Sequence, residues 1–229
     1  IFKMTFEDKS LIYSNHITFI DKIIIKKRKE IIEIINHLSK DKNFFDVLDV
    51  GTTEDTNHES SNIIIKNLKY FKVFKSISIQ KINSNFFKEK LTKSITQNFS
   101  SSEIEKFKSD VVIANATIEH VGNIINQVKM CKNISLLANK YFIIITPNRY
   151  HPLEFHSKLP LIHWLPKKIH RYFLKKIGLK MLSKEENLNL LSRKNLINIM
   201  NEINIPNYEI KYIKFLCFKS NLVLIGKKS

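Results

Sequence analysis

The run Phe44–Gly51, FFDVLDVG, constrains the fold more than any other stretch. Val47, Leu48 and Val50 form a short, nearly continuous apolar segment that stops at a glycine and turns polar at Thr52. That is the pattern of a strand buried on both faces of a parallel sheet. Three more β-like runs follow at 73–79 (VFKSISI), 110–116 (DVVIANA) and 141–146 (YFIIIT). Helical stretches separate them. NIIIKNLKYF, 62–71, reads as a helix with Ser60 or Ser61 as its N-cap, and 123–140 has the length and periodicity of a crossover helix. An earlier helix over 22–38 places Ile24, Ile31, Ile35 and Leu38 at helical spacing. Strands alternating with helices predict an α/β fold with a doubly wound parallel sheet.

The C-terminal third has a different grammar. Residues 165–179 predict a basic amphipathic helix after Pro166, and 192–203 a helix capped by Ser192. The chain closes with two β runs, YEIKYIKFLCF and NLVLIGKK, joined at Lys219–Ser220, which predicts an antiparallel hairpin. With few Pro and Gly and no low-complexity linker, the 229 residues read as one domain. Its parts are an N-terminal helical segment (1–43), a first half of the sheet (44–146), a lid with helices (147–204) and the closing hairpin (205–229).

A formal net charge of +17 raises the question of an anionic partner. Lysine carries nearly all of it, since the only arginines are Arg28, Arg149, Arg171 and Arg193. Phosphate and base readout favour arginine's planar fork, so the charge reads as solvated surface and argues against nucleic acid as the partner. Cys131 and Cys217 make no disulfide framework and both read as buried fillers in a reducing compartment. Ile143–Ile145 is too short to cross a bilayer, and no stretch has a signal-peptide layout, so a soluble cytoplasmic protein is expected.

The turn at Gly51 is the natural floor of a ligand site, because open α/β sheets bind at the carboxyl ends of their strands. A dinucleotide site would need G-x-G-x-x-G there. Gly51, Thr52, Thr53, Glu54 and Asp55 offer one glycine and then acids, which repel a pyrophosphate and suit a cationic or zwitterionic ligand. With DVVIANATIEHV (110–121) and TPNRYHPLEFH (146–156), the DVGTTED loop resembles the class I S-adenosylmethionine-dependent methyltransferases, in particular a bacterial subgroup of the small-molecule type. The likeness spans about residues 45–229. It implies a Rossmann-like sheet of seven strands in the order 3-2-1-4-5-7-6 and S-adenosylmethionine as cofactor.

Carried over by position, the resemblance assigns Asp49, Gly51, Thr52, Thr53 and Asp55 to the first cofactor loop. Asp49 would orient the loop or the methionine amine, and Gly51 would admit the cofactor to the backbone. The acid that grips the ribose after strand two is replaced by Gln80, and the acid beside adenine after strand three by Asn98, with Gln97 one residue away. Neutral amides accept hydrogen bonds more weakly than carboxylates. Asn115 and Ala116, at the turn after strand four, complete the cofactor set. Beside the transferring methyl group, His120 is a candidate general base, and Glu119 a cap for the next helix.

Residues 146–166 hold the acceptor candidates: Asn148, Arg149, Tyr150, Glu154 and His156, with Arg149 and His156 orienting a polar or anionic small molecule. Tyr150, Phe155 and Trp164 would enclose it, or pack as the core of a proline-stiffened lid. The spacing of His151, Glu154, His156 and His163 fits no zinc signature, so no metal is expected. Helix 167–177 mixes lysines with Ile169, Phe173 and Ile177 and offers a peripheral membrane contact. The leading reading is methyl transfer to a small molecule, with a sugar, lipid-linked or surface-glycan precursor as the candidate acceptor. A non-catalytic module of the same fold is the alternative that Gln80 and Asn98 raise; RNA methylation rests on charge alone.

Overall fold

The computed structural model describes residues 19–40, 42, 44–54, 62–215 and 217–228, with side chains from residue 25 onward. Helix α1 (Phe19–Ser39) leads into β1 (Asp46–Val50). Then come α2 (Ile63–Lys66), β2 (Val73–Ser78), β3 (Glu89–Thr92), α3 (Ser101–Phe107), β4 (Ser109–Asn115), α4 (Ile124–Leu137) and β5 (Ala138–Pro147). Helices α5 (Lys167–Lys176) and α6 (Arg193–Glu202) precede β6 (Tyr208–Phe215) and β7 (Phe218–Lys227). The seven strands form one sheet in the order β3-β2-β1-β4-β5-β7-β6. The first five are parallel, and β7 runs antiparallel between β5 and β6.

The period of two along the strands sorts the core onto two faces. Leu48, Val50, Val112, Ala114, Phe142 and Ile144 face Met130, Ile134 and Leu137 of α4 and Leu196, Ile199 and Met200 of α6. Val47, Val111, Ile113, Ile143 and Ile145 face Ile31, Ile32 and Ile35 of α1 and Ile64 and Ile65 of α2. At Gly226, opposite Phe142 in the β5–β7 ladder, a Cβ would strike the Phe142 ring. Glycine is required there by space alone.

Three expectations need correction. The helix expected over 62–71 is the single turn α2: Asn67 takes the Ile63 carbonyl with its own side-chain amide (2.8 Å), and the chain leaves to bury Leu68 and Phe71. Ser60 and Ser61 lie outside the described residues. The hairpin turns between Phe215 and Phe218, not at Lys219–Ser220. Ser220 is fully buried and donates to the Ile213 carbonyl (3.0 Å), so it sits inside the ladder, while Cys217 takes the left-handed conformation (φ 67) at the turn. Cys217 is accordingly exposed; only Cys131 is a buried filler.

Candidate functional site

The carboxyl ends of β1, β4 and β5 lie side by side, and the loops leaving them carry most of the predicted residues. At the tip of β1, Gly51 has φ +89, and a Cβ there would collide with Thr117 Oγ1 and lie 2.8 Å from Thr117 Cγ2. The space above the glycine thus belongs to a side chain from the β4 turn. Thr117 Oγ1 shares its hydrogen between the carbonyls of Val50 and Asn115, both at 3.1 Å. Glycine at this position is needed apart from any ligand.

Asp49 lies beneath the loop, on the face of the sheet that holds Val47. Its carboxylate accepts a 2.6 Å bond from the buried Thr52 hydroxyl. Burial pushes its pKa up from 3.8 to about 6, against the lowering pull of that bond. Thr53 is tied to Asn62, whose amide donates to the Thr53 carbonyl at 2.8 Å. Asp55 lies outside the described residues. Gln80, exposed two positions past β2, has its backbone N–H bonded to Ser78 Oγ (3.1 Å). Asn98 is exposed on the turn entering α3, well past the end of β3 at Thr92. The position just after that strand is Lys93, held by Glu103 at 2.7 Å. After β4, Asn115 is half-buried and Ala116 takes φ 51, its N–H bonded to the Ile145 carbonyl at 2.8 Å.

The loops after β4 and β5 converge on two histidines. The His120 and His156 rings meet edge to face, centroids 4.9 Å apart. His120 Nδ1 lies 2.5 Å from the Asn187 carbonyl and His156 Nδ1 2.7 Å from Glu154 Oε1. A carbonyl and a carboxylate only accept, so both Nδ1 atoms carry hydrogen, and in the neutral form of each ring the lone pair lies on Nε2. Burial, and next the charge of His156, lower the pKa of His120, against the opposing pull of Glu119 and the Asn187 carbonyl. Burial works the same way on His156, but Glu154 by charge and hydrogen bond, with Glu119, holds its pKa above the ordinary value. Although burial opposes it, Glu154 falls to about 2 through His156 and the N–H groups of His156 and Ser157.

Glu119 does not cap the next helix. Asn123 does, accepting the Asn126 N–H at 3.0 Å. Glu119 is fully buried beneath the histidine pair, its Oε2 accepting from Thr146 Oγ1 (2.9 Å) and its Oε1 without a partner. The ligand atoms of Glu119, His120 and His156 all lie within 4.8 Å of one another. His151 and His163, which stood beside His156 in the sequence, belong elsewhere: His163 Nε2 donates to the His151 carbonyl at 2.6 Å.

The other acceptor candidates are partly committed to structure. Asn148 donates to the Lys219 carbonyl (2.8 Å) and Arg149 to that of Leu165 (2.9 Å). Arg149 lines a basic pocket with His163, Lys167, His170 and Arg171, apart from His156. Tyr150 is exposed. Trp164, exposed as well, is not a core residue; Phe155 is half-buried, stacked on His151 with the Lys27 ammonium 3.5 Å from its ring centroid. Sequence reasoning missed Lys27 and Asn189, whose N–H and side-chain amide bond the carbonyls of Glu119 and Gly122, each at 2.7 Å. A lone asparagine in a loop far along the chain carries no signal of such a role.

No family model matches the sequence, and no curated protein is similar to it in sequence. Solved structures are similar in fold. A magnesium protoporphyrin IX methyltransferase from Synechocystis with bound SAM superposes with a TM-score of 0.58 at 11% identity, covering 98% of this chain and 91% of that one. A 1,6-didemethyltoxoflavin-N1-methyltransferase from Burkholderia thailandensis, with its substrate and S-adenosylhomocysteine bound, gives 0.53 at 9% identity over 88% of this chain and 78% of that one. A small RNA methyltransferase gives 0.53 at 13% identity, covering 87% of this chain and 25% of that one. Such identities speak to fold and not to acceptor. Strand order, the single antiparallel insertion and these superpositions agree: the chain has the fold of the class I S-adenosylmethionine-dependent methyltransferases.

Proposed function

We propose that this protein transfers a methyl group from S-adenosylmethionine to a small-molecule acceptor. The observation that carries the reading is Asp49: a buried carboxyl near the tip of β1 that, among the described residues, accepts from the Thr52 hydroxyl alone. Such a group suits an ammonium or sulfonium and is hostile to a diphosphate. The fold, and neighbours that hold SAM or S-adenosylhomocysteine, support the same cofactor. Bound there, it would supply a methyl carbon already activated by the sulfonium. The chain's own task is then alignment and exclusion of water, which contribute about 7–11 kcal/mol in well-oriented systems. The loops after β4 and β5 supply the acceptor side, and the His120–His156 pair is where an acceptor proton would be shed. Titration calorimetry with SAM and S-adenosylhomocysteine tests this. We expect saturable binding, weakened about tenfold or more by Asp49→Ala; no binding of either compound would leave the non-catalytic module as the reading, for which the amide Gln80 after β2 speaks.

The same reading extends to an anionic lipid surface. Only His170 and Leu174 of α5 are buried. Ile169, Tyr172, Phe173 and Ile177, spaced by three and four residues, are 51%, 63%, 41% and 45% exposed, beside exposed Trp164 and Leu165. Lys168, Lys175 and Lys176 flank this stripe. An apolar stripe turned outward between lysines is the chemistry of an interfacial helix, and it suits an acceptor on a lipid carrier. Among the described residues no helix is long and apolar enough to cross a membrane. Co-sedimentation with phosphatidylglycerol vesicles, lost in a Phe173→Ser/Ile169→Ser double variant, is the expected outcome. Recovery in the supernatant at low salt would remove the lipid surface from the reading.

A further inference from the structure

We infer that Glu119, His120 and His156 form a binding site for one divalent transition-metal ion. Their ligand atoms lie within 4.8 Å of one another. In a tetrahedral site with bonds of about 2.1 Å the ligands stand ~3.4 Å apart, so the set must close by at most ~1.4 Å. The adjustment falls to His120, which reaches the surface while its Nδ1 stays on the Asn187 carbonyl.

Three further observations point to a cation rather than to chance proximity. Glu119 is fully buried and its Oε1 has no hydrogen-bond partner, while Thr146 fixes the other oxygen at 2.9 Å. A buried carboxylate oxygen without a partner is a costly arrangement that a metal bond would relieve. Each histidine is held at Nδ1 by an acceptor: His120 by the Asn187 carbonyl, His156 by the Glu154 carboxylate. This is how metal-ligating imidazoles are oriented, the outer partner fixing the tautomer that leaves Nε2 to the ion. Finally, Glu154 at His156 Nδ1 and Glu119 beside the pair set two carboxyl groups around the imidazoles, which suits a dication in an otherwise basic protein.

Two imidazoles and one carboxylate, with no thiolate, suit Zn²⁺, Co²⁺, Fe²⁺ or Mn²⁺ and leave coordination positions open. The consequence for catalysis rests on the methyl-transfer reading: an acceptor hydroxyl bound at an open position would be acidified. Its proton would pass to solvent, its oxygen would form the new bond to the methyl carbon, and the carbon–sulfur bond would break with its electron pair left on sulfur. The site thus favours acceptors that carry a hydroxyl.

The test uses the whole protein, stripped with chelator and titrated with Co²⁺ under visible absorption and with Zn²⁺ by calorimetry. One equivalent should bind, with nitrogen and oxygen ligand bands and no thiolate charge transfer. Glu119→Gln and His120→Ala should each weaken binding tenfold or more, and His170→Ala, in the basic pocket, should leave it unchanged. Because Glu119 is buried and its variant can lose the fold, His120→Ala at the surface keeps the experiment decisive. Absence of a stoichiometric site, or equal binding by wild type and His120→Ala, would overturn the inference. SAM affinity measured on the same metal-free sample keeps the two readings apart: cofactor binding without metal binding defeats this inference alone, and the reverse defeats only the methyl-transfer reading.

Discussion

Asp49 shows how one side chain sets stability and binding against each other. Its pKa rises from 3.8 to about 6 on folding, so the native state holds the proton more tightly than the unfolded chain. Stability from this group is full below about pH 4 and is lost as pH rises through about 6; two units correspond to ~3 kcal/mol. Asp49→Asn keeps an acceptor for the Thr52 hydroxyl and removes the buried charge. We expect it to melt higher than wild type at pH 8, with the difference vanishing toward pH 4, and to bind SAM more weakly; differential scanning fluorimetry across pH and calorimetry read the two effects. The role expected of Asp49 came from the resemblance, whereas the glycine ending β1 was legible in the sequence because the strand-to-glycine pattern is local. Glu119 was not: its partner Thr146 stands 27 residues away, and only the pairing of β4 with β5 brings the two together.

Among the elements, local chemistry predicted those whose boundaries it alone determines. Helix α6 begins where Ser192 accepts the Asn195 N–H at 3.3 Å, as its capping sequence announces. The turn α2 and the hairpin tip escaped for the opposite reason: the Asn67 amide and the burial of Leu68 and Phe71 end the helix early, and the burial of Ser220 overrides the polar look of Lys219–Ser220. Gly226 carries a prediction at this scale. Gly226→Ala drives a methyl into the Phe142 ring inside a ladder that cannot shift without moving β5 and β7 together. A loss of about 1–3 kcal/mol is expected from overpacking, read as a lower midpoint in urea with an unchanged slope.

For the molecule as a whole, the order of stability follows the order of the strands. β4 is buried at six of its seven positions and β5 through Phe142–Thr146, whereas β3 and β6 are the edges, with alternate residues exposed. Amide exchange should be slowest at Val111–Ala114 and Phe142–Ile145 and fastest along β3 and the outer side of β6. Exchange in β6 as slow as in β4 would contradict this. The alternation of strands and helices was legible at this scale, as was the antiparallel closing pair. The full strand order came from the resemblance, because no single sequence states which strands become neighbours. The meeting of His120 with His156 depends on that order and was equally out of reach.

Thr117 sits where a side chain on Gly51 would be, and its one hydroxyl hydrogen fastens the tips of two adjacent strands. The two rims of the crevice are therefore riveted: neither loop can swing without dragging its neighbour. Disturbances introduced near Glu119 or His120 should be felt at Asp49, so affinity for one occupant would report on events at the other.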